Sequence, residues 1–168
     1  MKKLCIASLL MAISTTASAQ WVGGIGYSNL SDDYLNLGAF VGSLRYEFSP
    51  QQQFHGSIGA RYGIGIQEDT AEGFGSSGNV GIKLDRFMSV DLRGQYEVND
   101  SVYVYVAPSF ANAKLSASYG SSSLSDSSWE FGGGVGLGIK ANETSSIEFS
   151  YESFDGTDVI SANLVWQF

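Results

Sequence analysis

The sequence predicts an all-β fold, an eight-stranded antiparallel up-and-down transmembrane β-barrel. Three observations predict it. Apolar residues recur at every second position through eight segments, and the links between those segments alternate between brief and longer. Glycines crowd the less apolar strand faces, while aromatics gather at strand ends on the apolar ones.

Ahead of the first segment, residues 1–19 have the three parts of a secretory signal. Lys2 and Lys3 form a charged start, Leu4 to Ile13 an apolar run, and Ala17-Ser18-Ala19 a small-x-small cleavage site. The apolar run is shorter than the ~20 residues of a membrane-spanning helix, and no later stretch approaches that length. Two regions are therefore expected: a cleaved signal peptide over 1–19 and one barrel domain over 20–168. Cys5 leaves with the signal, and too little apolar sequence precedes it for a lipoprotein anchor. The remaining chain then has no disulfide, no thiol nucleophile and no thiolate metal site.

Lys2 and Lys3 also leave, so seven of the nine basic residues stay against 17 acidic ones, a net charge of −10. That balance excludes nucleic acid as a partner, since phosphate binding needs a basic footprint.

The eight segments are Trp21–Asn29, Leu37–Phe48, Phe54–Gln67, Val80–Val98, Val102–Ser116, Trp129–Ala141, Ser146–Phe154 and Val159–Phe168. The last alternates most cleanly, with Ile160, Ala162, Leu164, Trp166 and Phe168 on one face. Ser161, Asn163 and Gln167 lie opposite, with Val165 as the exception. The fourth places Val80, Ile82, Leu84, Met88, Val90, Leu92, Tyr96 and Val98 in one phase, against Lys83, Asp85, Ser89, Asp91, Arg93, Gln95 and Glu97 in the other. This is the period-two signature of a strand. The fifth is ambiguous: Val102, Val104, Val106 and Phe110 compete with Tyr103 and Tyr105 for the apolar face.

Ser49–Gln53, Asn99–Ser101 and Asn142–Ser145 are brief, rich in Ser, Asn and Gln, as turns require. Glu68–Asn79 and Ala117–Ser128 read as longer polar loops, with Ser31–Asn36 and Asp155–Asp158 shorter. An even number of up-and-down strands puts both termini and the three brief turns on one side. Short turns on the periplasmic side and longer loops outside are the pattern of an outer-membrane barrel.

A soluble barrel also alternates, so the faces must decide. Gly132, Gly134, Gly136 and Gly138, with Gly59, Gly63 and Gly65, line the less apolar phase. A solvated face gains nothing from glycine, whereas the narrow interior of eight strands does. Trp21, Tyr46, Phe48, Phe54, Tyr96, Trp166 and Phe168 fall at one rim, and Tyr27, Phe40, Phe110, Trp129, Phe131 and Tyr151 toward the other. Two such girdles mark bilayer interfaces.

The signal, the eight alternating segments and the ending Asn163-Leu164-Val165-Trp166-Gln167-Phe168 resemble the small outer-membrane β-barrel proteins, which include the OmpX/Ail-like proteins and the OmpA transmembrane domain. Gln167 stands where OmpX and Ail relatives usually carry Arg or a similar polar residue. The resemblance implies a Gram-negative outer-membrane location. It further implies that Phe168, with its alternating partners, is read by the barrel-assembly machinery. No C-terminal peptidoglycan-binding domain is expected, so the full OmpA function is not implied.

Three constellations are candidates for chemistry. His55-Gly56-Ser57 puts an imidazole and a hydroxyl on one strand face. Lipid A deacylase, an outer-membrane barrel, has a His-x-Ser arrangement, but near its C-terminus and followed by Asn where this chain has Ile58. The phase of His55 and Ser57, shared with Arg61, points into the lumen. Arg45, Arg61, Arg93 and Lys140 share that inward phase with Glu47, Asp91, Glu97, Glu130, Glu148 and Glu152. Lone charges in a narrow lumen would carry a heavy desolvation cost, so they should pair as a plug. Asp32-Asp33, Glu68-Asp69 with Glu72, and Asp155 with Asp158 fall in external loops and read as solvated tips, although oxygen ligands of this kind suit Ca²⁺ or Mg²⁺. Gly73-Phe74-Gly75 offers an aromatic loop tip to a partner or to lipopolysaccharide.

The reading that results has no catalytic residue, cofactor or metal. It expects a non-enzymatic outer-membrane barrel displaying surface loops, with a role in envelope integrity or adhesion. Its expected partners are outer-membrane lipid and lipopolysaccharide, the barrel-assembly machinery, and an extracellular ligand reached through the loops. The alternatives are an enzyme acting on lipid through His55 and Ser57, and a narrow channel.

Overall fold

A computed structural model describes residues 20–32, 35–50, 52–71, 80–119 and 122–168. The strands are β1 (Gln20–Ser31), β2 (Asn36–Phe48), β3 (Phe54–Gly65), β4 (Glu68–Ala71), β5 (Val80–Asn99), β6 (Val102–Tyr119), β7 (Ser122–Lys140), β8 (Ser145–Phe154) and β9 (Thr157–Gln167). Consecutive strands pair antiparallel except β3 and β4, which both pair β5, and β9 pairs β1, so the sheet closes. β3 and β4 are two lengths of one barrel strand, since both pair β5. Between them Ile66 N–H still donates to the Gly38 carbonyl at 2.9 Å. Eight antiparallel strands therefore form the wall.

The stagger of that wall follows from the register. Partners traced from Gly138 through Glu148, Asn163, Gly26, Val41, Gly63, Phe87 and Ala113 return to β7 at Ser128, ten residues from the start. Ten residues of stagger in eight strands corresponds to a tilt of about 40°. The displacement is even, so inward residues meet inward residues all the way round.

Asparagines build two of the brief turns. Asn142 Oδ1 accepts from the N–H groups of Thr144 and Ser145, and Asn99 Oδ1 accepts from Ser101 N–H. At the opposite rim the β8–β9 turn needs Gly156 at φ 84°, where a side chain would be strained. Ser123 to Ser128 belong to strand β7 and Ala117 to Tyr119 to β6, which corrects the expected loop there. Backbone pairing is indifferent to the serine side chains, and the ladder runs on to Tyr119↔Ser122. β5, β6 and β7 reach 20, 18 and 19 residues, about twice the ~9–11 a tilted spanning strand needs. Their outer ends stand above the membrane.

A second correction concerns β5. A register shift between Leu84 and Arg86 makes Asp85 an extra residue, and a bulge of this kind reverses the phase beyond it. Leu84 is fully buried in the lumen and Ile82 packs beside it, while Lys83 and Asp85 face outward. The sequence reading had these two pairs exchanged. In β6 the ambiguity resolves with Tyr103 and Tyr105 inward and Val104, Val106 and Phe110 outward.

The outer wall carries a continuous belt of exposed apolar side chains, Ile25, Leu44, Ile58, Val90, Val106, Leu137, Phe149, Ile160 and Leu164 among them. Above and below it lie the two aromatic girdles. Trp21 and Tyr46 meet edge-on at 5.0 Å on one rim, and Phe110 and Trp129 stack at 5.1 Å on the other. A surface of this size and polarity suits hydrocarbon and not water.

Candidate functional site

The lumen is built in layers, set by which residues each strand turns inward. At the mouth beside the β2–β3, β5–β6 and β7–β8 turns a cavity of about 310 Å³ is lined by Arg45, Glu47, His55, Gln95, Glu97 and Lys140, among others. There Lys140 Nζ pairs with Glu97 at 2.6 Å, and Gln95 Nε2 donates to Glu97 at 2.9 Å.

Glu148 closes the floor of this vestibule. Its two oxygens accept from Arg93 Nη1 at 3.0 Å and Nη2 at 2.9 Å, from Arg45 Nη2 at 3.0 Å and from the Tyr103 hydroxyl at 2.7 Å. The guanidinium of Arg93 also lies over the Tyr105 ring, 3.3 Å from its centroid, a contact that a flat, weakly hydrated cation favours. Arg45 completes its own neutralisation with Glu47 at 3.2 Å.

Above lies a void of only about 40 Å³ and then a second carboxylate centre. Glu152 takes Arg61 through two hydrogen bonds, at 2.5 and 2.8 Å, and Ser109 Oγ at 3.0 Å. Arg61 Nε donates to Ser89 Oγ at 2.8 Å, and Asp91 stands 4.0 Å away. Each of the four inward cations thus meets an acid, as the inward phase of these residues predicts. Such pairing offsets the desolvation that an isolated charge would suffer.

The next layer was not foreseen. Leu30, Leu37, Ala39, Val41, Leu84, Phe87, Ala111, Phe154 and Val159 form a buried apolar cluster inside the barrel, above Arg61, whose guanidinium lies 5.6 Å from the Phe87 ring centre. Its sequence signal was available: at their outer ends β1, β2, β8 and β9 carry apolar residues in the inward phase. The bulge at Asp85 then adds Leu84, which no count of alternation supplies.

The inward glycines of β7 make room for this filling. A methyl group at Gly138 would overlap the Tyr103 ring, at Gly136 the Tyr105 ring and at Gly134 the Glu152 side chain. Each glycine is opposite or beside the bulky residue it accommodates. Glycine in a strand weakens the backbone but allows this close approach.

His55 and Ser57 both point into the lumen and are buried. His55 Nδ1 lies 3.1 Å from the Gln52 carbonyl oxygen, and Nε2 has no hydrogen-bond partner among the described residues. The imidazole is held by the β2–β3 turn and makes no hydrogen bond to Ser57. Neither group faces the lipid. Among the described residues no cluster of three or more His, Cys, Asp or Glu is placed to hold a metal ion. Asp69, one of the loop acids, accepts from the Asn36 backbone N–H at 2.8 Å. Asp33, Glu72 and Gly73-Phe74-Gly75 lie outside the described residues, as does the expected signal over 1–19.

The family model described as outer membrane protein beta-barrel domain matches residues 4–168. No curated protein matches the sequence. Among solved structures, Ail, the attachment invasion locus protein of Yersinia pestis, superposes with a TM-score of 0.59 at 20% identity, covering 89% of this chain and 97% of that one. The same protein in complex with the heparin analogue sucrose octasulfate gives 0.56 at 19%, with the same coverage. The N-terminal β-barrel domain of Pseudomonas aeruginosa OprF gives 0.56 at 14%, covering 90% of this chain and all of that one. At these identities the likeness is one of fold.

Proposed function

Because the chain belongs to the outer membrane protein beta-barrel domain family, we propose that it is a non-enzymatic anchor of the bacterial outer membrane. It would display four external hairpins that serve envelope integrity or adhesion. The observation that carries this reading is the filled lumen. Two carboxylate centres and an apolar layer lie in series between the periplasmic vestibule and the outer mouth. A wall filled in this way is a rigid support and not a conduit, and it leaves the hairpins as the working surface. The held imidazole of His55 supports the non-enzymatic part of the reading.

The Ail complex supports an extracellular ligand as the kind of partner such a barrel takes. The charge of this chain's own hairpins narrows the class. Residues 31–36, 66–79, 117–128 and 155–158 contain eight Asp and Glu and no Lys, Arg or His. Opposite potentials steer association, so the tips favour a cationic surface over a sulfated polyanion.

We further propose that residues 1–19 are removed on export, leaving Gln20 at the N-terminus, and that Phe168 takes part in recognition by the barrel-assembly machinery. The test is a deletion strain restored with either the whole chain or one whose eight hairpin Asp and Glu residues are changed to Asn and Gln. Adhesion predicts that only the whole chain restores binding to a cationic surface, and envelope integrity predicts that both restore detergent resistance. If neither form changes adhesion or detergent resistance, the proposal is wrong.

A further inference from the structure

Four of the seven basic residues beyond residue 19 are committed to acids in the lumen: Arg45, Arg61, Arg93 and Lys140. The other three, Lys83, Arg86 and Lys114, all fall on one stretch of the outer wall formed by β5 and β6. The bulge at Asp85 produces this arrangement, since without it Lys83 would share the inward phase. Lys83 lies opposite Glu68 on β4. Arg86 and Lys114 lie directly opposite each other, and among the described residues neither makes a salt bridge. Arg86 Nε is buried without a hydrogen-bond partner. The carboxylate of Asp85, next to Arg86 in the chain, accepts from Ser116 Oγ at 2.6 Å.

Like charges placed directly across a strand pair are destabilising, so this pair is expected to have an anion that offsets it. The height of the pair says where that anion comes from. Arg86 is two residues beyond Met88, and Lys114 two beyond Asn112, which pairs with Trp129. That places the backbone of both about 5 Å in height above the row of Trp129, which stacks on Phe110. Aromatic girdles sit at headgroup level, so long basic side chains here reach into the polar layer of the outer leaflet. Above them stand acidic hairpins, which repel an anion approaching from solution. An anion within the membrane plane meets no such barrier.

We infer that Arg86 and Lys114 bind a phosphate of a phosphorylated glycolipid of the outer leaflet, the lipid A part of lipopolysaccharide. Arg86 supplies the forked donor that matches phosphate oxygens, and Lys114 a point charge beside it. The site rests on the proposed orientation, with the hairpins outside.

The experiment uses the barrel over 20–168 folded in phosphatidylcholine discs, with diphosphorylated lipid A, dephosphorylated lipid A or inorganic phosphate added. Lipid retained by the released protein is read by native mass spectrometry, and the unheated gel band shows that each variant is folded. Diphosphorylated lipid A should be retained in preference to the dephosphorylated form. Arg86→Gln and Lys114→Gln should each lower that preference roughly fivefold, since a cation near an anionic surface is worth about 1 kcal/mol. Arg86→Lys with Lys114→Arg should keep most of it. Equal retention of the two lipids by the unaltered barrel, or no loss in the Gln variants, would overturn the inference. Displacement of lipid A by millimolar inorganic phosphate would do so as well, by making the site one for free phosphate. Failure of the barrel to enter discs would count against the membrane reading, and not against this site alone.

Discussion

Arg93 and Glu148 are 55 residues apart in the chain and meet face to face in the lumen, with two parallel hydrogen bonds of 3.0 and 2.9 Å. Arg45 reaches the same carboxylate, so one acid holds two guanidinium groups, and Glu47 balances the second charge. Glu148→Leu should therefore cost about 3–5 kcal/mol, because it leaves Arg93 buried without an acid. The triple variant Arg45→Met, Arg93→Met, Glu148→Leu should be more stable than Glu148→Leu alone. Urea titration in lipid vesicles measures both, and a single variant as stable as the parent would refute the role assigned to this centre.

The glycine sockets predict a coupling of definite sign. Gly136→Ala forces the Tyr105 ring to shift and should cost about 1–3 kcal/mol, the usual range for overpacking. In a Tyr105→Ala background the same change should cost much less. A double-mutant cycle with no coupling would show that the ring and the glycine are independent.

The register makes a third prediction. Leu164 and Val106 are about half exposed on the outer wall, and Arg at either, near the bilayer midplane, should cost about 2–4 kcal/mol. Gln167→Arg lies at the periplasmic rim, where the guanidinium reaches water, and should cost little. Equal losses at Leu164 and Gln167 would mean that the apolar face does not meet lipid.

Three layers in series, two carboxylate centres and one apolar cluster, predict how the lumen conducts. The unaltered barrel should carry no steady current across a planar bilayer. Phe87→Ala should not open it, because the Glu152–Arg61 centre remains below. Only Phe87→Ala combined with alanine at both carboxylate centres, Arg61 with Glu152 and Arg45 with Arg93 and Glu148, should give conductance. A current through the unaltered barrel would revive the channel reading.

His55→Ala and Ser57→Ala should leave the lipid A acyl pattern of an overexpressing strain unchanged by mass spectrometry. Loss of one acyl chain that depends on either residue would establish the enzyme instead.

The wall of this barrel was legible in the sequence because alternation is a local property. Each residue of β9 takes its face from its neighbours, so Leu164 outward and Asn163 inward follow from the chain alone. Even Val165, the exception, proves to be an inward residue that fills the lumen. Which inward charges exist was equally legible, since phase placed Arg93 and Glu148 in one lumen. Their pairing was not, because it depends on a ten-residue stagger summed over eight registers. The place of Leu84 in the apolar layer and of Lys83 on the outer rim depends on a single extra residue, Asp85. It reverses the faces of Ile82, Lys83 and Leu84 and leaves composition and periodicity almost untouched. Local pattern determined the strands and their faces; closure of the sheet decided which inward side chains meet, because partners on different strands are joined only through the accumulated register.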